Sequence, residues 1–290
     1  MARLIKIVKS WKFWLAALLM PFLLVGCATM IGDFDSDFIS DDFISRESVQ
    51  AGDITLSYIR TGEPNGQRVI FLHGTPGDAG GNWVKMLKDV PKGFEFLAID
   101  RPGFGHTRPR ADVTSLDAQA AALEPLLVVR GGKGTILVGH SLGGPIIVAA
   151  AANYPRKVEG IVVAAGALDP DLEDVLFIQH VGNVPPMSWL LDKTLRNSNR
   201  ELIALERELR LLRPKLARIT QPIVIVHGTE DKLVPYANVA YMQKELTGSR
   251  RLEVVTLEGT NHFLQWNSNA EILAGIMAIS DGLNNTQTAR

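Results

Sequence analysis

From residue 67 onward, short runs of consecutive apolar residues alternate with longer stretches of helical periodicity. The apolar runs fall at 69–72, 94–99, 135–138, 161–165, 223–226 and 252–257. Unbroken apolarity, in place of an in–out alternation, suits strands of a parallel sheet covered on both faces. Between them, 118–129, 144–152, 235–246 and 269–283 carry helical periodicity, and Thr114-Ser115-Leu116-Asp117 has the form of a capping box. Upstream, 47–49 and 54–60 read as a hairpin around Ala51-Gly52-Asp53. The alternation predicts an α/β class protein whose mostly parallel sheet is doubly wound.

One interval breaks the rhythm. Between Asp169 and Pro222 no strand is evident; Phe177, Val181, Met187, Trp189, Leu190 and Leu191 are apolar, and 201–216 reads as a charged amphipathic helix. We expect a small helical cap insertion over about 170–218, within a domain spanning 47–285 and followed by a tail at 286–290.

At 290 residues, 46% hydrophobic and 21% charged, the chain is of globular composition and long enough for one α/β domain with an insertion. The net charge of −1 hides a split: residues 1–26 hold Arg3, Lys6, Lys9 and Lys12 and no acid, which leaves −5 for the rest. A mildly acidic body without a basic patch gives no reason to expect a nucleic-acid partner. The single cysteine, Cys27, rules out an intrachain disulfide.

The cysteine's place changes the picture more than its number. A basic segment to Lys12 precedes an apolar stretch at 13–25, too short for a comfortable transmembrane helix but laid out as a secretory signal. It ends Leu24-Val25-Gly26-Cys27, which resembles the lipobox of bacterial lipoproteins. That resemblance implies cleavage of 1–26, acylation of Cys27 and anchoring to the cell envelope, since two or more acyl chains hold a protein stably to a bilayer. Ala28 and Thr29 would come after the lipidated cysteine; the lack of Asp at the second position favours the outer membrane in a two-membrane bacterium. Residues 27–46 then form an acidic tether, with Asp33, Asp35, Asp37, Asp41 and Asp42 interleaved with Phe34, Phe38 and Phe43.

In open parallel sheets, ligands bind beyond the carboxyl ends of the strands, so the residues just after each apolar run are where chemistry is expected. After Leu72 comes His73-Gly74-Thr75-Pro76-Gly77, and after Ile99 comes Asp100-Arg101-Pro102-Gly103-Phe104-Gly105-His106. After Val138 comes Gly139-His140-Ser141-Leu142-Gly143, a G-x-S-x-G between strand and helix. His227-Gly228-Thr229-Glu230-Asp231 succeeds Val226, and Asn261-His262 closes the series. A serine, an acid and a histidine thus leave the same edge in that order.

In these motifs, over most of 47–285, the chain resembles the α/β-hydrolase superfamily of serine hydrolases, esterases and lipases among them. The resemblance implies an α/β-hydrolase fold, with Ser141 as nucleophile, Asp231 as acid and His262 as base. It also implies an oxyanion hole from the backbone N–H groups of Thr75 and Leu142. A serine hydroxyl is a poor nucleophile until a neutral imidazole takes its proton, and a carboxylate fixes that imidazole's tautomer. Asp169, Asp171 and Glu230 remain alternative acids, and His180 lies in the expected cap; His106 has no motif context. Asp100 and Arg101 are expected to brace the oxyanion loop. Trp83, Phe104 and Trp189 are candidates for lining an acyl pocket or for packing in the core.

The expected activity is hydrolysis of a small hydrophobic carboxylic ester through an acyl-enzyme. The same triad also serves thioester, lactone, amide or C–C cleavage and perhydrolysis, and a noncatalytic binding module is the alternative from another class. Serine at the elbow argues against the epoxide-hydrolase and haloalkane-dehalogenase branches, which use aspartate there. With no metal-ligand cluster or phosphate-cradling loop in the sequence, neither a metal nor a cofactor is expected.

Overall fold

The computed structural model describes residues 45–175 and 177–282. The expected signal 1–26, Cys27, all but the last two residues of the 27–46 tether, and the 286–290 tail lie outside this range.

Eight strands form one sheet in the order β1-β2-β4-β3-β5-β6-β7-β8. They are β1 (Ser45–Ala51), β2 (Ile54–Gly62), β3 (Gln67–Leu72), β4 (Phe94–Ile99), β5 (Thr135–His140), β6 (Val158–Ala164), β7 (Ile223–Gly228) and β8 (Leu252–Leu257). The hairpin β1–β2 is antiparallel to the rest, and β3 through β8 pair in parallel. Every residue of β4, β5 and β7 is buried, which is why these segments read as unbroken apolar runs.

Helices cover both faces. They are α1 (Ala79–Lys88), α2 (Leu116–Ala122), α3 (Gly143–Asn153), α4 (Phe177–Gly182), α5 (Met187–Leu190), α6 (Lys193–Leu216), α7 (Ala237–Glu245), α8 (Leu264–Asn267) and α9 (Asn269–Ser280). Successive strand residues point to opposite faces, so Ile70 and Leu72 pack with α2, α3, α6 and α7, while Val69 and Phe71 pack with α1, α8 and α9.

Three sequence expectations shift. The first strand begins at Ser45, and Arg46, expected in the tether, donates to the buried Asp100 carboxylate at 2.6 Å. The helix expected over 118–129 starts at Leu116, capped by the Ser115 hydroxyl, and ends at Ala122. A 3-10 turn containing Pro125 comes next, since proline has no N–H to give and crowds the preceding turn. Conversely, the helix expected from 201 starts eight residues earlier, where the Asp192 carboxylate accepts from the N–H groups of Thr194 and Leu195. Asn197, Ser198 and Asn199 are weak helix formers and hide this start in the sequence. Tertiary bonds offset their weakness: Asn197 Nδ2 donates to the carbonyl of Gly103 at 2.8 Å.

The long helix α6 has two parts with different duties. Leu205, Leu209, Leu212 and Leu216, spaced four, three and four, are buried in the core cluster shared with α3. Its first half meets the loop that leaves β4: Arg200 pairs with Asp112, Arg110 with Thr194, and Arg101 with Glu201. The first half of α6 therefore lies against the loop at the carboxyl end of β4.

Candidate active site

Between the end of β5 at His140 and the start of α3 at Gly143 the chain has two residues in which to reverse. Ser141 takes the strain, with φ of 54°, a region that costs a residue with a side chain on the order of 1–3 kcal/mol. Its N–H donates to the carbonyl of Ala164 at 3.0 Å and its own carbonyl accepts from Gly144 at 2.9 Å. The flanking glycines are demanded by close approach: a Cβ on Gly139 would collide with the carbonyl of Gly143, and one on Gly143 would lie 2.6 Å from that of Leu72.

The acid and the imidazole are joined. His262 Nδ1 lies 2.7 Å from Asp231 Oδ2, an oxygen that accepts, so Nδ1 carries a proton and Nε2 is turned away from the carboxylate. Asp231 Oδ1 accepts from the N–H groups of Leu233 and Val234 at 2.9 and 2.8 Å. Burial pushes this carboxyl up, but hydrogen bonds from His227 and His262 and the Val234 amide outweigh it and leave it well below the usual carboxylate range.

Ser141 makes no hydrogen bond to His262 among the described residues. His140, the chain neighbour of Ser141, ties the elbow to His262: its Nε2 lies 2.9 Å from the carbonyl oxygen of His262, with the rings 4.7 Å apart. A carbonyl only accepts, so Nε2 of His140 is protonated and the buried Nδ1 has no partner. Burial and the neighbouring His262 push the His140 ring down to about 3, so it is a neutral strut. Serine–imidazole bonds in unliganded hydrolytic sites are often long and tighten with substrate.

The expected oxyanion loop leaves the end of β3. Neither the Thr75 nor the Leu142 amide donates to another group among the described residues, and the Leu142 amide lies at the N-terminus of α3, where N–H groups converge on an anion. Gly74 packs against the nucleophile: a Cβ there would sit 2.9 Å from Ser141 Cβ and 3.3 Å from Ser141 Oγ. Arg101, 1% exposed, holds the loop by donating to the carbonyls of His73 and Gly74 at 2.9 and 2.8 Å. His73 accepts from the Arg101 N–H at Nε2, and its Nδ1 lies 2.7 Å from the Gly74 carbonyl. Burial and the nearby guanidinium keep it neutral. Asp100 Oδ1 and Oδ2 accept from the N–H groups of Ala79 and His106, which fixes both flanks of this corner.

Of the three aromatics that could line a pocket or pack in the core, two take the core. Trp83 is fully buried on the α1 face, 5.0 Å from Phe71, and Phe104 is fully buried beneath the Arg101 guanidinium, 4.7 Å from its ring centre. Neither offers surface to a substrate. Trp189 has the opposite fault: at 71% exposed on the short α5 it faces solvent. The alternative acids are engaged elsewhere. Asp169 caps the turn at 170–172, Asp171 pairs with Arg210, and Glu230 is exposed. His180 is exposed on α4, and the backbone of His106 is tied to Asp100.

Two contacts escape sequence reasoning. For His140, which the G-x-S-x-G turn marks as a structural histidine, it is the partner that escapes, since a carbonyl 122 residues away leaves no local trace. Glu201, whose side chain meets Arg101 at 2.6 Å, sits in an ordinary amphipathic pattern; only the charge it places on the buried face of α6 hints at it. A cavity of about 340 Å³ lies at the opposite, amino-terminal edge of the sheet among Gly66, Arg68, Arg130 and Lys133. It holds neither nucleophile nor base and is remote from this chemistry.

Comparison with known proteins agrees with the geometry. Residues 69–275 match the model of the alpha/beta hydrolase family. The human serine hydrolase BPHL is 28% identical over 229 residues, 71% of this chain and 77% of its own. The 2-(acetamidomethylene)succinate hydrolase of Mesorhizobium japonicum is 28% identical over 267 residues, 80% and 93% of the two chains. Among solved structures, a bacterial membrane phospholipase A superposes with a TM-score of 0.65 at 21% identity, covering 96% of this chain and all of that one. With an eight-stranded, mostly parallel sheet and this corner at its carboxyl edge, the chain belongs to the alpha/beta hydrolase family.

Proposed function

We propose that this hydrolase cleaves carboxylic esters through an acyl-enzyme on Ser141. The observation that carries the reading is the Asp231–His262 pair beside the strained Ser141 elbow. His262 Nε2 takes the hydroxyl proton as Oγ attacks the acyl carbon, and Asp231 stabilises the imidazolium that forms. Negative charge develops on the carbonyl oxygen and is met by the N–H groups of Thr75 and Leu142, fixed donors worth roughly 2.7–4 kcal/mol each. The imidazolium then protonates the leaving alcohol, and water, activated by the same base, releases the acid. A small hydrophobic ester is the substrate class we favour, over thioester, lactone or amide.

The lipobox-like Leu24-Val25-Gly26-Cys27 supports a second part of the proposal. The domain is held to the bacterial cell envelope by acyl chains on Cys27, with 28–44 as the tether.

A fluorophosphonate probe tests the activity. Labelling of wild type and none of Ser141→Ala is the expected result. A folded wild type that stays unlabelled and leaves a panel of graded esters intact would instead make the chain a noncatalytic binding module.

A further inference from the structure

The Arg101 guanidinium is a five-way junction in which every N–H is used. Nε donates to the His73 carbonyl at 2.9 Å and Nη2 to the Gly74 carbonyl at 2.8 Å. Nη1 donates to Gln119 Oε1 at 2.7 Å and to Glu201 Oε1 at 2.6 Å, and Nη2 reaches Glu201 Oε2 at 3.1 Å. Gln119 in turn donates to Glu201 Oε1 at 2.9 Å. Arg101, Gln119 and Glu201 are each 2% exposed or less.

The Gly74 carbonyl belongs to the same peptide unit as the Thr75 N–H. In a planar trans peptide the two point in opposite directions. Whatever grips the carbonyl therefore aims the N–H, and the grip here is a charged guanidinium reinforced by His73. A donor on the carbonyl also polarises the peptide and strengthens its N–H as a donor. The guanidinium has no freedom of its own, because its far edge is clamped by the carboxylate of Glu201.

We propose that Glu201 is a positioning residue for the oxyanion donor: through Arg101 it sets the direction of the Thr75 N–H, so that catalysis depends on the placement of α6. The inference rests on the serine-hydrolase reading above. It assigns to α6 a role that neither its leucine seam nor its surface charges explain. Helix and oxyanion loop are connected by one buried, fully satisfied fork, so a shift of the first half of α6 reaches the Gly74 carbonyl through Arg101.

The test is pre-steady-state acylation by p-nitrophenyl acetate, expressed per active site from the burst amplitude, so that loss of folded protein does not enter. Glu201→Gln keeps the shape and removes the charge. It should lower the acylation rate per site about tenfold or more while KM changes by no more than about twofold. Glu208→Gln neutralises another buried carboxylate on the same helix, one that accepts from the Leu116 N–H. It should lower the melting temperature and leave the rate per site within about twofold.

Removing one partner of a buried pair can prevent folding, whereas replacing both by apolar residues is often tolerated. The double variant Arg101→Met/Glu201→Leu should therefore fold and still lose about tenfold in rate. An active wild type whose Glu201→Gln and double variants acylate at the wild-type rate per site would overturn the inference alone. A wild type without a burst, inert towards the ester, would overturn the serine-hydrolase reading beneath it.

Discussion

At the scale of single residues, the proposed mechanism divides the site into groups that react and groups that hold them still. Ser141→Ala and His262→Ala should each cost roughly 10⁴-fold in kcat for p-nitrophenyl esters, because nucleophile and base act as a unit. Retention of a tenth of the rate would contradict both assignments. Gly74→Ala tests the holding group: its methyl would press on Ser141 Cβ at 2.9 Å. Overpacking of this kind costs typically 1–3 kcal/mol, and the expected result is a fall in kcat greater than any fall in melting temperature. The candidate triad Ser141, Asp231 and His262 can be picked out of the sequence because each residue comes after an apolar run that ends at the same edge. The places of Trp83, Phe104 and Trp189 cannot, since an aromatic beside a motif has the same sequence signature whether it lines a pocket, fills a core or faces water. Burial settles the difference, and burial depends on residues far away: Trp83 is enclosed by Phe71 and its neighbours on the α1 face.

At the scale of elements, α6 is the instructive case. Its amphipathic stripe is readable over 201–216, whereas its first turns are hidden by Asn197, Ser198 and Asn199, weak formers supported by the Asp192 cap and by tertiary hydrogen bonds. The strands are easier, because a buried parallel strand must be apolar on both faces and leaves little room for another reading. Helix α2 reads as longer than it is for a local reason, Pro125, whose effect the apolar pattern masks. The two parts of α6 also separate by experiment. Leu209, 2% exposed, lies in the leucine seam. Leu209→Ala should cost about 2–5 kcal/mol in urea unfolding, with acylation per active site unchanged. Equal stability of this variant and wild type would contradict the packing described for α6.

At the scale of the whole molecule, the burial of neutral histidines ties stability to pH. In the unfolded chain His73 and His140 bind protons below about 6.5, while in the folded protein both rings stay neutral to far lower pH. Stability is therefore full above about 6.5 and is lost as pH falls towards 3. Glu173 opposes this: burial, with Asp169 and Asp174 nearby, pushes its carboxyl up to about 7, so it favours the fold at low pH and loses that contribution as pH rises through 7. Between about pH 4.5 and 6.5 the unfolded state gains two protons on the histidines against one held by Glu173 in the fold. The histidines outnumber the carboxyl, so urea unfolding should report a protein less stable at pH 5 than at pH 6.5. Equal stabilities would contradict the neutral, buried assignment of the two rings.

The proposed envelope anchor belongs to the same scale. Cys27→Ser should leave catalysis in detergent extracts intact while releasing the protein from membranes or blocking its processing. Normal cleavage with unchanged membrane association would remove the lipid from the account. The parallel pairing of β3, β5, β6, β7 and β8 puts the loops that carry Thr75, Ser141, Asp231 and His262 at one edge of the sheet.

The most direct measurement is to trap the covalent intermediate. Enzyme mixed with p-nitrophenyl acetate, quenched in acid within the burst and digested, should yield one acetylated peptide in the mass spectrum, with the acetyl group on Ser141 and absent from the Ser141→Ala protein. Ester turnover with the acetyl group on another residue, or undiminished turnover by Ser141→Ala, would contradict the account.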